Sequence, residues 1–289
     1  MTRSKALWAL HGIVLIWGFT GILGKEISLS SVPLVFWRTL IAFFGVAFFV
    51  LLYKRSVRIP LRQWFFLSIV GLIIAGHWVA FFTSIKLSNI STALTVLSTN
   101  AIFTAIVAPF ILGGRIKKWE VVMGGIGTIG LGVIFHFEGQ YALGIAWSLL
   151  AAFLASVFSS MNARLVKTME PLTMTLVELF FANFWVMVFI LCSSEQNFEW
   201  EMLDFKNVAL LLVLGLVATS VPFVVSISVM KKLSPFTCAI AINMEPVYSI
   251  LIALYLYGSS EWMSGGFYWG AFLILGVVFV ETFLRRITA

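Results

Sequence analysis

Ten apolar runs of about 20 residues, separated by short polar breaks, occupy nearly all of this sequence: 6–24, 33–52, 64–85, 89–112, 119–136, 141–163, 172–192, 207–230, 235–257 and 264–284. At a rise of about 1.5 Å per residue, a helix of that length crosses the roughly 30 Å of hydrocarbon in a bilayer. Lipid offers the backbone no hydrogen bonds, so only helices and closed barrels span it. The runs are continuous rather than alternating, which selects helices over strands. Composition agrees: 61% of residues are hydrophobic and 11% charged, far from the balance of a soluble domain. The expectation is an all-α integral membrane protein with ten transmembrane helices and no separate soluble domain. The first run follows Arg3 and Lys5 but ends in GILGKE without a small-x-small cleavage pattern, so it reads as a retained helix rather than a signal peptide.

A formal net charge of +7 raises the question of nucleic acid, and the placement of the bases answers it. With the N-terminus inside, the inner segments hold 15 of the 19 Lys and Arg; Lys25, Lys86 and Lys206 fall outside and Arg38 falls within a helix. That bias gives both termini a cytoplasmic location by the positive-inside rule, in the cell (inner) membrane, and makes the basic character a matter of topology with no nucleic-acid partner. Cys192 and Cys238 sit at opposite ends of their helices, beyond disulfide reach.

The chain also repeats itself. At an offset of 146, Lys86, Leu87, Ser88 and Ala93 align with Lys232, Leu233, Ser234 and Ala239, and Gly124 and Gly130 with Gly270 and Gly276. At 144, Gly71-Leu72 meets Gly215-Leu216, and at 138, Pro33-Leu34 meets Pro171-Leu172. The reading is a five-helix unit written twice, residues 1–137 and 138–289. Five is odd, so the second copy enters the membrane from the opposite side, giving two inverted five-helix repeats with a site near the midplane between them. Arg115 aligns with Glu261 at offset 146 and lies on the other side of the membrane by topology, so opposite orientation goes with opposite charge.

Trp17-Gly18, Pro33 followed by Arg38, and the stretch from Leu233-Ser234 through Glu245-Pro246 to Glu261 resemble motifs of the EamA family of the drug/metabolite transporter superfamily. The resemblance extends across essentially the whole chain. The first half departs from it at Thr99-Asn100, where a proline-containing motif is usual, and at Gly114-Arg115, where a Gly-Glu pair is usual. The resemblance implies export of small metabolites, often amino acids or related compounds, through a central cavity lined mainly by the first, third, fourth, sixth, eighth and ninth helices.

Within the runs, ionisable residues stand out because an intramembrane charge costs several kcal/mol unless neutralised, paired or hydrated. Glu245 lies about 15 Å along the ninth run by the helical rise, near mid-bilayer. The following Pro246 cannot donate to the backbone and is expected to kink that helix. Glu245, His77 and Glu178 are the candidates for proton or ion coupling. Against function stands a Glu245 that serves as a neutral structural acid, a packed His77, and a Glu178 paired with Arg164 or Lys167. Arg38, shallow in the second run, reads as a snorkelling side chain.

For the substrate cavity the candidates are Trp17, Trp78, Phe81, Thr92, Thr95, Thr99, Asn100, Trp147, Asn162 and Tyr248. Thr92, Thr95 and Thr99 share a helical face, although hydroxyls at that depth also bond their own backbone or neighbouring helices. The aromatics suit the walls of a site for an apolar or cationic group. No nucleotide-binding glycine loop, zinc-type HExxH pair or nucleophile elbow occurs, so no cofactor, metal or ATP is expected on this chain.

These residues fit a secondary transporter exporting a small organic metabolite by alternating access, as a monomer or homodimer in the lipid bilayer. Proton coupling through Glu245 and uncoupled facilitated diffusion both remain open. The alternative from another class is a membrane-embedded enzyme using Glu245 and His77 as acid and base. Topology is directly testable: reporters fused after Arg62 or Lys118 are expected to register in the cytoplasm and those within 194–206 outside. A cytoplasmic signal from 194–206 contradicts both the orientation and the inverted repeat.

Overall fold

The computed structural model describes residues 1–55, 57, 59–116, 118–193 and 198–287. Arg58 and Lys117 of the basic segments, and residues 194–197 of the acidic 194–206 segment, lie outside the described residues. Every regular element among the described residues is helical. The order is α1 (Arg3–Trp17), α2 (Thr20–Glu26), α3 (Ser31–Leu52), α4 (Leu61–Leu87), α5 (Ile90–Leu97), α6 (Asn100–Leu112), α7 (Lys118–Phe137), α8 (Ala142–Leu165) and α9 (Pro171–Cys192). There follow α10 (Phe205–Leu212), a π-helical stretch Val213–Ser220, α11 (Val221–Val229), α12 (Pro235–Ile242), α13 (Glu245–Tyr257) and α14 (Gly265–Ile287).

Eight stretches of the described residues are long and apolar enough to cross a membrane: Arg3–Glu26, Ser31–Leu52, Leu61–Leu87, Ile90–Leu112, Gly139–Leu165, Pro171–Cys192, Phe205–Val229 and Pro235–Glu261. Shorter apolar stretches, Gly125–Ile134 and Gly265–Val277, lie in α7 and α14. Large apolar side chains such as Phe44, Phe48, Phe110 and Phe272 are exposed on the helix faces. Water penalises such faces and lipid does not, and the protein is a multi-pass membrane protein.

Local chemistry sets the helix starts. The Asn89 side chain accepts from the Thr92 N–H at 2.8 Å, Asp204 from Asn207 at 2.7 Å and Ser234 from Thr237 at 3.1 Å, each satisfying a donor that the first turn leaves free. Pro171 and Pro235 begin α9 and α12, where their missing N–H is no loss. Cys192 is exposed, Cys238 buried, and both are free thiols.

Several runs that read as continuous helices are interrupted. The chain breaks at Gly18–Phe19 between α1 and α2, at Ser98–Thr99 between α5 and α6, and at Asn243–Met244 between α12 and α13. Each break is a tightened turn in which an N–H reaches three residues back: Phe19 to Ile16 at 3.1 Å, Thr99 to Val96 at 3.0 Å, Met244 to Ala241 at 3.1 Å. A kink at Pro246 was the expectation for the ninth run. The interruption instead precedes the proline, which sits in the first turn of a new helix, where it displaces no hydrogen bond.

The main helix pairings recur when the two halves are exchanged, although the contacts of α8 are more extensive than those of α1. α4 packs against α8 and α9, and correspondingly the π stretch and α11 pack against α1 and α3. α5 and α6 pack on α8 as α12 and α13 pack on α1, while α3 pairs with α9 and α7 with α14. Gly71 and Gly215, aligned in the sequence, mark equivalent close approaches. A Cβ on Gly71 would lie 2.6 Å from Phe181 Cβ and 2.9 Å from the Ala182 backbone nitrogen, and one on Gly215 would lie 2.6 Å from Ile41 Cγ2. Small residues at such crossings let membrane helices touch. Gly71→Ala is therefore expected to destabilise the detergent-solubilised protein by about 1–3 kcal/mol, the usual cost of overpacking. Gly12→Ala, which meets nothing within 4 Å, serves as the neutral control. Equal melting temperatures for the two variants contradict the close helix approach.

Candidate functional site

The three helix breaks converge on one another. Asn243 Nδ2 donates to the Ser98 carbonyl at 2.9 Å, joining the α12–α13 break to the α5–α6 break, and the Ser249 hydroxyl donates to the Gly18 carbonyl of the α1–α2 break. Trp17 Nε1 donates to the Ala218 carbonyl at 3.1 Å, tying the first break to the π stretch. Carbonyls loosened by irregular backbone are thus taken up by protein donors, which makes such breaks tolerable at membrane depth.

A cavity of about 110 Å³ lies among these breaks. Its polar wall is formed by Arg38, His77, Ser98, Asn100, Asn243 and Glu245, and its aromatic wall by Trp17, Trp78, Phe81, Phe158 and Phe223. Glu245 opens α13, where the unpaired N–H groups of a first helical turn favour a carboxylate. His77 Nδ1 lies 2.8 Å from the Ala151 carbonyl on α8. A carbonyl only accepts, so Nδ1 carries the proton and Nε2 is the acceptor in the neutral ring. The ring stacks with Phe81 and tilts against Phe158 at 5.4 Å.

Of the residues singled out in the sequence, Trp17, His77, Trp78, Phe81, Asn100, Glu245 and Pro246 meet at this cavity. The others lie elsewhere. Thr92, Thr95 and Thr99 are buried away from the lining, which on that helix is formed by Leu94, Leu97 and Ser98. Thr99 donates to the Val96 carbonyl at 2.7 Å, the local bonding open to any mid-helix hydroxyl. Trp147 is exposed on α8. Tyr248 is not part of the lining and packs against the buried cluster that includes Leu10, Ile13 and Val14. Glu178 is fully buried between α8 and α9, where it accepts from Asn162 Nδ2 at 3.2 Å instead of pairing with Arg164 or Lys167.

Arg38 is the main correction to the sequence reading. It does not snorkel: it is 2% exposed, its Nε donates to Thr219 Oγ1 at 2.8 Å, and its guanidinium lies 4.3 Å over the Trp78 ring. Thr219 reaches it from the π stretch, where its hydroxyl bonds Leu214 five residues back at 2.6 Å. Wide turns of this kind recur at functional sites. The sequence signal was present in an arginine inside an apolar run, but helix depth says nothing about which neighbours cover it.

The bundle's two ends differ. At the end holding Glu261, a fully buried carboxylate, Glu261 accepts from Lys25 Nζ at 2.8 Å, the Ser91 N–H at 3.0 Å and the Ser91 hydroxyl at 2.9 Å. Beside it, Glu26 accepts from Lys206 at 2.9 Å and Tyr257 at 2.9 Å, and Lys25 lies 4.0 Å over the Tyr257 ring. These contacts tie residues before 137 to residues after 138. At the other end the described ion pair is Arg55 with Glu170 at 3.5 Å, both largely exposed, and the cavity lining reaches Met230, directly after α11.

Comparison with known proteins agrees with this architecture. The sequence model of the EamA-like transporter family matches residues 4–136 and again 142–282. A protein of Clostridium kluyveri described as an uncharacterized transporter is 22% identical over an alignment of 205 residues that covers 68% of this chain; the chain spans 63% of that relative's length. A crystal structure of another protein superposes with a TM-score of 0.71 at 19% identity, covering 99% of each chain, a likeness of fold.

Proposed function

The chain belongs to the EamA-like transporter family, and on that premise we propose that it is a secondary transporter exporting a small organic metabolite, an amino acid or related compound, by alternating access. One observation carries this reading. Arg38 from the first copy and Glu245 from the second face one cavity where interrupted helices of both copies meet. Interrupted helices flanking a central site are a design of secondary transporters.

In this proposal the chain makes ten membrane crossings as two inverted five-helix units, residues 1–137 and 138–289, in the cell membrane with both termini cytoplasmic. The cavity, reaching Met230 and latched at the Glu261 end, then faces the cytoplasm and loads substrate there. Export requires the Lys25–Glu261 and Lys206–Glu26 contacts to part while the Met230 end closes. The recurrence of the same helix pairings with unequal contact supports this, because a second state needs only to exchange which half packs more closely. Glu245 is the point where substrate and proton compete. An enzyme using Glu245 and His77 as acid and base would find both groups on the cavity, with Nε2 of His77 as the acceptor, but the family match and the duplicated architecture favour transport.

Glu245→Gln keeps shape and hydrogen bonding but cannot ionise. In liposomes with an imposed pH gradient and a panel of labelled amino acids, gradient-driven transport is expected to fall at least about tenfold, equivalent to 1.4 kcal/mol. Exchange across equal concentrations is expected to persist. Wild-type rates with unchanged pH dependence in the variant contradict coupling at this residue.

A further inference from the structure

The cavity contains a cation whose own fold does not use it up. Arg38 stands two turns inside α3, almost wholly buried, and a guanidinium stays charged in any protein environment. Its Nε is committed to Thr219, and its plane is held over Trp78 at 4.3 Å and Phe82 at 5.4 Å. Its Nη1 is buried with no hydrogen-bond partner among the described residues. The described ion pairs are Lys25–Glu261, Arg55–Glu170 and Lys206–Glu26, so Glu245 makes no direct ion pair with Arg38, although both line the cavity and their opposite charges attract across it.

A buried charge with an unfilled donor is costly unless something pairs it. Here one edge of the guanidinium is fixed by a threonine of the π stretch, one face lies over tryptophan, and Nη1 is left unfilled on a side chain that lines the cavity. That arrangement immobilises the group in advance, which lowers the ordering cost of taking an anion. The planar fork matches a carboxylate, which accepts two parallel N–H bonds.

Resting on the export reading above, we propose that Arg38 is the residue that recognises the transported metabolite, taking its carboxylate on the guanidinium edge that carries Nη1. Glu245, on the other copy and not paired with Arg38, faces the ammonium end of the same molecule. The two charges of a zwitterion are thereby divided between the two copies. The carboxylate selects against molecules that carry only the amine, and the aromatic wall receives the apolar remainder.

The test uses the full-length protein in liposomes, with labelled L-threonine, L-phenylalanine and L-leucine and the corresponding amino-acid amides as probes. Wild-type protein is expected to prefer acids over their amides about 10- to 100-fold in kcat/KM, the range for losing hydrogen bonds to a charged group. In Arg38→Gln that preference is expected to collapse toward unity through a higher KM for the acids, while amides are still carried. Arg38→Lys keeps the charge but not the fork and is expected to recover the preference only in part. Equal handling of acids and amides by wild-type protein overturns this assignment without reference to any variant, and so does a preference that survives in Arg38→Gln. Wild-type protein that carries none of the probes overturns the amino-acid reading on which the assignment rests.

Discussion

Hydrocarbon offers no hydrogen bonds, and every loosened peptide group at membrane depth must find its partner within the protein. That constraint explains why the helix breaks lie together. Asn243 serves the Ser98 carbonyl, Ser249 the Gly18 carbonyl and Trp17 the Ala218 carbonyl, so each irregular segment is completed by another helix. A cluster of mutually completed breaks leaves a space at its centre with an aromatic wall and a few polar groups. Glu245 and Arg38 occupy its wall because an ionisable group is tolerated there and nowhere on the lipid-facing surface.

Duplication gives this centre its symmetry, and a charge difference breaks it. Glu261 caps the start of α5 and draws in Lys25, closing one end across the two copies. Its sequence mate is Arg115, which is exposed, and the start of α12 is capped by the exposed Ser234. A guanidinium has no acceptor to offer a helix N-terminus. Among the described residues one end therefore has an ionic latch and the other has none at the equivalent place, so the two ends of the bundle are held differently.

Much of the fold was legible in the sequence because helix-crossing length and apolar continuity are dictated by the bilayer. The repeat was legible through residues such as Gly71 and Gly215, which recur because the same close crossings are built twice. The site was legible where cost alone points to it, as at Glu245. It was not legible where neighbours decide. Arg38 has a depth but no stated cover in sequence, and Thr219 reaches it only through a π stretch that no apolar pattern announces. Thr92, Thr95 and Thr99 share a face of an ideal helix, but the break at Ser98–Thr99 and local hydroxyl bonding present Ser98 and Asn100 to the cavity. Trp147 is exposed on α8 whereas Trp17 lines the cavity at a helix break, a difference of placement that the residue type alone does not carry.

The central claim is that one cavity opens to each side in turn, with the Glu261 contacts holding one side shut. Thiol accessibility measures this directly: Ser98→Cys, in a background where Cys192 and Cys238 are replaced, is labelled by a membrane-impermeant maleimide applied to either face. Reaction is expected from the cytoplasmic face, and adding Glu261→Gln is expected to shift reaction toward the outer face. Labelling from the outer face in the unmodified latch, or a side preference that Glu261→Gln leaves unchanged, contradicts the account.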